Sequence, residues 1–315
     1  MKDIKPYLAG LCVAVIFGFS FLFTKEALDL LTPFHLLGFR FATAALMLTI
    51  LYLVGFIELD FRNKQMGKLV LLGLFQPVIY FICETLGINL TTASEAGMMV
   101  ALIPVSATIM SAIFLDEKPA FKEFLCILAS VAGVVFIVAL RTGLRLSGHL
   151  LGLFLLLGAV IAAGFYNVLS RKSSVEFKPI EITFVMMWIG AVVFNGIALF
   201  QHYQQGDLGS YLVPLQGFQG LIPILYLGVL SSVAAFFMVN FMLSRLRAYE
   251  ASVFTNLTTI ISVAAGVIIR GEPFYWFHLV GGLLIILGVW GTNYFKEKEK
   301  NLSRIRQEYR SEVNN

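Results

Sequence analysis

Long charge-free stretches dominate the chain, and short segments that hold most of the charged residues separate them. The stretches occupy residues 6–24, 41–57, 69–83, 96–115, 124–140, 146–170, 182–206, 208–244, 251–269 and 273–295. Most of them reach or approach the ~20 apolar residues that a helix needs to cross a bilayer. Two continue past a single charge, over 33–55 across Arg40 and over 69–89 across Glu84. Glycines and Pro214 mark the first part of the eighth stretch as a loop, which leaves 221–243 as its span.

These stretches are too long for buried strands, and they lack the alternating pattern of a membrane barrel. The pattern therefore predicts an all-α integral membrane protein with ten transmembrane helices. The first stretch is longer than the apolar region of a signal peptide, and no small-residue cleavage site follows it. We therefore expect it to be retained as the first helix.

The composition excludes several classes of protein. Hydrophobic residues make up 58% of the chain and charged residues 13%, with a mean hydropathy of +0.85. Soluble domains carry about 25% charged residues, so a soluble enzyme and a disordered chain are both excluded. The net charge of +4 is small and dispersed, which argues against nucleic acid as a partner.

The distribution of lysine and arginine predicts the orientation in the membrane. Of the 23 such residues, 18 lie in the segments on the same side as the N-terminus, four lie on the opposite side, and Arg40 lies within a span. Because cytoplasmic segments are enriched in positive charge, both termini are predicted to be cytoplasmic. We expect a multi-pass protein of the cell membrane.

The second half of the chain resembles the first when the sequence is shifted by 155 residues. Ala93-x-Glu95-Ala96 then falls on Ala248-x-Glu250-Ala251, and Glu117 falls on Glu272. Each half holds five predicted helices, an odd number, so the second half must enter the membrane in the opposite direction. The expected organisation is one five-helix repeat over 1–145, an inverted repeat over 146–295 and a charged cytoplasmic tail over 296–315. Secondary transporters commonly have this architecture, with the substrate site near the midplane between the repeats.

Several short motifs recur in an order that is typical of one family. They are Pro33-x6-Arg40-Phe41, Ala93-x2-Ala96, Leu102-Ile103-Pro104-Val105, Leu115-Asp116-Glu117, Gly271-Glu272, Gly281-Gly282 and Gly288-Val289. In these motifs the chain resembles the EamA-type members of the drug/metabolite transporter superfamily. The resemblance implies ten helices in two repeats and the export of small metabolites, including amino acids, or of amphipathic compounds. The second copy departs from the first, with Thr259 in place of Pro104 and Met186 in place of Arg40, so a site built on these residues is expected to be asymmetric.

Arg40 and Glu84 are the clearest ionisable residues within apolar spans. A charge inside a bilayer is costly and normally faces a partner or a water-filled cavity. Both residues are expected roughly 8–9 Å below the outer surface, at 1.5 Å of helix rise per residue. One interpretation is a gate or a clamp for a substrate carboxylate, with Glu84 as the proton carrier. The other is a fixed ion pair that locks two helices together.

Polar and aromatic residues also recur on single helix faces. Gln76, Tyr80 and Glu84 share a predicted face of helix three, and Ser232, Phe236 and Asn240 share one of helix eight. Further members of the set are Ser20, Thr24, Tyr166, Asn167, Trp188, Asn195 and Asn256. This set is predicted to line a central cavity, while hydrogen bonding between helices is the alternative for each member. Glu95 and Glu272 are expected to cap helices or turns.

The chain has none of the motifs that bind phosphate, metal or a catalytic nucleophile: its four histidines are dispersed, and no GxSxG or glycine-rich lysine loop occurs. We therefore expect no cofactor and no enzyme activity. The predicted function is a secondary transporter of a small amino-acid-like or amphipathic metabolite, working outward by alternating access. Its partners would be that substrate, the lipid bilayer and protons, with a homodimer left open. The alternatives are a membrane-embedded lipid-modifying enzyme and a non-transporting small-molecule receptor.

Overall fold

Prolines and polar loop residues mark the helix boundaries in the computed structural model. Pro6, Pro33 and Pro179 each lie in the first turn of a helix, where the missing N–H costs no hydrogen bond. The positive φ of Gly206, 69°, ends another helix in the left-handed conformation that glycine adopts without strain. The apolar stretches between these signals form helices.

The structure describes residues 4–62, 64–114, 119–141, 148–245 and 248–313. The helices are α1 (Lys5–Leu28), α2 (Pro33–Leu53), α3 (Met66–Leu90), α4 (Ala93–Val100 and Ile103–Phe114), α5 (Phe121–Arg141), α6 (Gly148–Ser173), α7 (Pro179–Gln205), α8 (Phe218–Leu225, Tyr226–Ala234 and Ala235–Arg245), α9 (Ala248–Arg270) and α10 (Trp276–Val313). Two short 3₁₀ turns, Leu208–Ser210 and Val213–Gln216, lie in the loop before α8. The described residues contain no strand.

Nine of these helices, within the described residues, are long and apolar enough to cross a membrane. This confirms the prediction of an all-α, multi-pass membrane protein. The predicted ninth span, 251–269, coincides with α9, whose fully described apolar part, Asn256–Arg270, is shorter than a span. Helix α10 continues through the charged tail as far as Val313.

Helices α3 and α8 both contain a π-helical segment near a proline. In α3 the segment is Leu74–Ile79, where Gln76 has the extended dihedral angles φ −145° and ψ 114°. Pro77 follows it and has no N–H to donate, so the α-helical hydrogen-bond ladder is broken there. In α8 the π segment is Tyr226–Ala234, three residues after Pro223. The expectation of one continuous helix face through Gln76, Tyr80 and Glu84 is therefore wrong at Gln76.

The most extensive helix contacts follow a symmetric pattern when α1 is matched with α6, α2 with α7, α3 with α8, α4 with α9 and α5 with α10. Under this matching, the contact α1–α9 has its equivalent in α4–α6, α1–α8 in α3–α6, and α2–α8 in α3–α7. The matched helices also contact each other directly in the pairs α2–α7, α4–α9 and α5–α10. The two halves of the chain therefore pack on each other through equivalent helices.

Helices α5 and α10 approach each other most closely at glycines. A Cβ atom on Gly133 would lie 2.6 Å from the carbonyl oxygen of Gly281, and one on Gly288 would lie 2.2 Å from Oγ of Ser130. Small residues let membrane helices pack backbone to backbone. The motif glycines Gly281 and Gly288 thus serve close packing between the halves.

Helix α4 is interrupted between Val100 and Ile103, just before Pro104, whereas α9 is continuous through Thr259. The helix is thus broken next to Pro104 and unbroken at Thr259, as the missing N–H of proline predicts. Helix α9 packs against the first segment of α4, while the second segment packs against α6 and α10.

The loops lie at two ends of the helix bundle. One end carries the contacts of Arg270, which donates to Glu26 at 2.8 Å and to Asp29 at 2.7 Å. We call it the Arg270 side. The opposite end carries Lys64, which donates to Glu181 at 2.6 Å, and we call it the Lys64 side.

Candidate functional site

Arg40 lies two turns into α2 and is buried, with 5% of its surface exposed. Its Nε donates to Oγ of Ser232 at 3.2 Å, and its Nη2 donates to Oγ of Ser231 at 3.4 Å. Both serines belong to the π-helical segment of α8, and Ser232 also donates to the carbonyl oxygen of Leu227 at 2.8 Å. The guanidinium group is thus held by neutral hydroxyl groups from the other half of the chain.

Aromatic rings cover the same guanidinium group. Its Cζ atom lies 4.5 Å from the ring centroid of Phe81 in α3 and 5.9 Å from that of Phe41. A cation over an aromatic face is attracted by the ring quadrupole, more strongly when both are desolvated. Phe81, Phe41 and Tyr80 belong to one buried hydrophobic cluster, against which Phe236 of α8 also packs.

Glu84 lies in the same region, one helical turn after Tyr80. The hydroxyl group of Tyr80 donates to Oε1 of Glu84 at 2.8 Å, and each residue has 6% of its surface exposed. The charges of Arg40 and Glu84 act on each other, but the described structure shows no salt bridge between them. Two opposite charges are therefore buried near one another without direct contact.

Other predicted residues lie in neighbouring helices. Gln76 is buried at the break in α3, and Thr24 is buried in α1. Ser20 is also buried and donates to the carbonyl oxygen of Phe17 at 2.7 Å. Asn256 in α9 is 7% exposed, and its Oδ1 has no hydrogen-bond partner among the described residues.

Some members of the predicted set point elsewhere in this conformation. Trp188 is 39% exposed and donates to Oγ1 of Thr49 at 3.1 Å, on the outer surface between α2 and α7. Asn167 is exposed and donates to the carbonyl oxygen of Ala163 in its own helix. Tyr166 packs against the hydrophobic cluster of Leu69, Leu72, Phe177, Ile182 and Met186. The side chains of Asn240 and Glu250, and all of Glu117, lie outside the described residues.

Contacts on the Arg270 side join the two halves of the chain. Glu272 accepts hydrogen bonds from the backbone nitrogens of Ala93 at 2.7 Å and of Ser94 at 2.9 Å, and from the hydroxyl group of Ser94. Ser262 donates to the carbonyl oxygen of Ala93 at 3.1 Å. A carboxylate at a helix N-terminus is favoured by the helix dipole. Glu272 is therefore a helix cap, as expected, and the helix that it caps is α4 of the other half.

Glu95 forms the capping box expected at the start of α4, since Oγ1 of Thr92 accepts from its backbone nitrogen. Its Oε1 lies 3.3 Å from Nε2 of His149 and 3.7 Å from Nε2 of His278. The carboxylate is buried and the two histidines begin α6 and α10. Both histidines lie more than 50 residues from Glu95 along the chain, so their contact with it could not be predicted from a local motif.

Ion pairs on the Lys64 side connect the start of α3 and the loop before it to the start of α7 and the loop before it. Glu181 is fully buried and accepts from Lys64 and from the backbone nitrogen of Lys178. Glu176 in the second loop accepts from Lys68 at 2.7 Å and from the backbone nitrogen of Gln65. These hydrogen bonds, first that of Lys68, hold the pKa of the Glu176 carboxyl below its usual value.

Arg40 and Glu84 are both buried, with 5% and 6% of their surface exposed. A cavity of about 270 Å³ lies at the Arg270 side, lined by His35, His202 and residues of the loop before α8. Within the described residues, the first segment of α4, Ala93–Val100, makes extensive contacts with α9.

Together these features define a multi-pass, all-helical membrane protein with buried charges between two equivalent halves. The sequence profile of the EamA-like transporter family matches residues 4–139 and again residues 150–294. The chain belongs to the EamA-like transporter family. This confirms the family expected from the motifs.

Relatives from a bacterium, an archaeon and a plant align over nearly the whole chain. The uncharacterized transporter YcxC of Bacillus subtilis is 36% identical over 298 residues, covering 95% of this chain and 96% of the relative. An uncharacterized transporter of Archaeoglobus fulgidus is 25% identical over 287 residues, covering 91% and 98%. The WAT1-related protein At2g39510 of Arabidopsis thaliana is 22% identical over 335 residues, covering 95% and 87%. These names indicate a transporter rather than an enzyme.

The fold also resembles that of a solved crystal structure. The two superpose with a TM-score of 0.62 at 15% sequence identity, over 93% of this chain and 99% of the other. At this identity the likeness concerns the fold alone. The fold is thus one that another protein chain of similar length adopts.

Proposed function

We propose that the protein is a secondary transporter that moves a small organic metabolite by alternating access, with Arg40 and Glu84 in its substrate site. The observation that carries this proposal is the environment of the Arg40 guanidinium group. The group is buried, and it contacts hydroxyl groups and aromatic rings rather than a carboxylate. A charged side chain inside a membrane is costly and normally has a functional partner, so an anionic substrate group is expected to bind Arg40 during the transport cycle.

Ten transmembrane helices in two inverted repeats, 1–145 and 146–295, form the proposed architecture. The exchange of equivalent helix contacts between the halves supports it, and so do the matching π-helical breaks in α3 and α8. Arg40 of α2 then contacts Ser231 and Ser232 of α8, which is the counterpart of α3 in the other half. A site between two such repeats is where a transporter binds its substrate.

We place the Lys64 side and both termini in the cytoplasm, and the Arg270 side outside the cell membrane. The excess of lysine and arginine in the segments of the Lys64 side supports this orientation. The conformation described would then be closed outside, through the contact of Glu272 with Ala93 and Ser94. In export, the substrate would then enter from the Lys64 side.

The substrate class follows from the groups around the site. The Arg40 guanidinium group can form paired hydrogen bonds with a substrate carboxylate, and the Glu84 carboxylate would accept hydrogen bonds from an ammonium group or bind a proton. Phe81, Tyr80 and Phe236 offer apolar surface for the rest of the molecule. An amino-acid-like zwitterion would bridge the two buried charges, which have no salt bridge to break first.

The experiment is substrate exchange in proteoliposomes that contain the purified protein. A panel of amino acids and amphipathic organic acids is tested with and without a pH gradient, for the wild type and for Glu84→Gln. Glu58→Gln is the matched control, because Glu58 is exposed in a loop. We expect exchange of a carboxylate-bearing compound, a stimulation by the gradient in the wild type and the control, and none in Glu84→Gln.

Two results would contradict parts of the proposal. If no compound of the panel exchanges above protein-free liposomes, the transporter function is wrong. If exchange occurs but Glu84→Gln responds to the gradient as the wild type does, Glu84 is not the proton carrier.

A further inference from the structure

His35 and His202 form a short hydrogen-bonded chain at the Arg270 side. His35 lies in the first turn of α2, and His202 lies in the last turn of α7. Nε2 of His202 is 3.3 Å from Nδ1 of His35. Nε2 of His35 is 2.8 Å from the carbonyl oxygen of Tyr211, and Nδ1 of His202 is 3.1 Å from the carbonyl oxygen of Asp207. The chain thus ends at both sides on a backbone carbonyl group of the loop before α8.

The number of hydrogens needed for these three contacts defines the charge of the histidine pair. A carbonyl oxygen only accepts, so the nitrogen that faces Tyr211 and the nitrogen that faces Asp207 must each carry a hydrogen. The hydrogen bond between the two imidazoles needs a third hydrogen. Two neutral imidazoles carry one N–H each, two in total, whereas the chain needs three. The full set of hydrogen bonds therefore exists only when the pair holds one additional proton.

We propose that His35 and His202 together are a proton-binding site, and that the bound proton joins α2 to α7 through the hydrogen bond between the two imidazoles. This inference concerns a site that the proposed transport mechanism does not use. The two imidazoles share the proton, and each donates its other N–H to a backbone carbonyl oxygen of the loop before α8.

The surroundings of the pair suit this assignment. The cavity of about 270 Å³ beside it gives water access, and among its lining residues are Thr32, Gln201 and Gln205 but no lysine, arginine or acid. Among the described residues that contact the pair, Tyr211 and Asp207 of the loop have titratable side chains, and each contacts it through its backbone carbonyl oxygen. The Asp207 carboxylate accepts from Ser210, and the Tyr211 ring stacks on His35 with centroids 4.6 Å apart. A second proton on the pair would place two positive charges in contact and is disfavoured.

The loop that carries the two carbonyl groups is also connected to α2 near Arg40. The hydroxyl group of Tyr211 donates to Oδ1 of Asn195, and Nδ2 of Asn195 donates to the carbonyl oxygen of Gly38 at 3.0 Å. Gly38 precedes Arg40 by two residues. Loss of the proton removes the hydrogen bond between the two imidazoles while both carbonyl contacts remain, so α2 and α7 are held together less firmly at this end.

The first test is nitrogen-15 NMR of histidine-labelled protein in nanodiscs, titrated from about pH 5.5 to about pH 8, the range in which histidine normally changes its charge. The chain has four histidines, so single variants assign every signal. We expect the pair to bind one shared proton in this range, and His202→Gln to change the titration of His35. His149→Gln is the matched control and should leave the pair unchanged. The inference is overturned if both imidazoles stay neutral throughout, if His202→Gln does not affect His35, or if His149→Gln does.

The second test is hydrogen–deuterium exchange of residues 201–205, the last turn of α7, corrected for the intrinsic effect of pH. Loss of the hydrogen bond that joins this turn to α2 predicts exchange about 2- to 10-fold faster above the titration than below it. In His35→Gln and His202→Gln this dependence should disappear, and in His149→Gln it should remain. A wild-type helix end whose corrected exchange does not depend on pH would overturn the inference. Neither measurement involves transport, so failure here and failure of the proposed function are separate results.

Discussion

The carboxylate of Glu272 lies 2.7 Å from the backbone nitrogen of Ala93, although 179 residues separate them in the chain. The same carboxylate accepts from the backbone nitrogen of Ser94, and the contact is buried. A residue that follows α9 thus caps the first turn of α4. This contact joins the two halves of the chain at the Arg270 side, and the first prediction concerns it.

We expect Glu272→Ala to lower the free energy of unfolding by about 1–3 kcal/mol, the cost of leaving buried backbone donors without an acceptor. Glu272→Gln should lower the free energy of unfolding less, since its amide oxygen still accepts one of the two hydrogen bonds from backbone nitrogens. The measurement is thermal unfolding in detergent by intrinsic fluorescence, with the exposed Glu58→Ala as control. An alanine variant as stable as the wild type would show that the cap does not hold the two halves together.

The Lys64 side offers a comparison between a buried and an exposed ion pair. Glu181 has no exposed side-chain surface, whereas Glu176 has 25% of its side chain exposed. Glu181 also accepts from the backbone nitrogens of Asp60 and Lys178, so Glu181→Gln should destabilise by about 1–3 kcal/mol through weakened buried hydrogen bonds. Glu176→Gln should destabilise less, as exposed pairs do, and its effect should shrink in high salt. Equal melting temperatures for the two variants would contradict this interpretation.

The close packing of α5 on α10 predicts a strong effect of one methyl group. In Gly133→Ala the new Cβ would lie 2.6 Å from the carbonyl oxygen of Gly281, so the helices must move apart at a cost of about 1–3 kcal/mol. Gly196→Ala is the matched control in α7, because a Cβ there meets nothing within 4 Å. Alanine is a better helix former than glycine, so the control should unfold at the same temperature as the wild type or higher. Unchanged unfolding in Gly133→Ala would contradict the close approach.

Much of the fold was predictable because charge is scarce in the spans. The boundaries of α1, α2 and α7 follow from apolar stretches that end at prolines and charged loops, and a single-residue scale suffices for that. The break in α3 was not predicted, since the apolar stretch continues through Gln76 and Pro77 and hydropathy does not report backbone geometry. Its local effect depends on how the neighbouring helices satisfy the freed backbone groups.

The candidate site was predictable in its charges and not in its contacts. Arg40 and Glu84 were identifiable as isolated ionisable residues within apolar stretches. Ser231 and Phe81, which contact Arg40, are common residue types in membrane helices and carry no signal of their own. The histidine clusters were not predicted, and neither was the helix that Glu272 caps. In each case the members lie far apart along the chain, and only the packed bundle brings them together.

The central claim is that Arg40 binds the substrate during transport. The most direct measurement is counterflow of the carboxylate substrate in proteoliposomes, comparing Arg40→Gln with Arg62→Gln, an exposed loop arginine that gives the matched control. Because a hydrogen bond to a charged group contributes about 1.5–3 kcal/mol, we predict that Arg40→Gln lowers substrate affinity by about 10-fold or more. The control should transport as the wild type does. Counterflow by Arg40→Gln with unchanged rate and affinity would contradict the account.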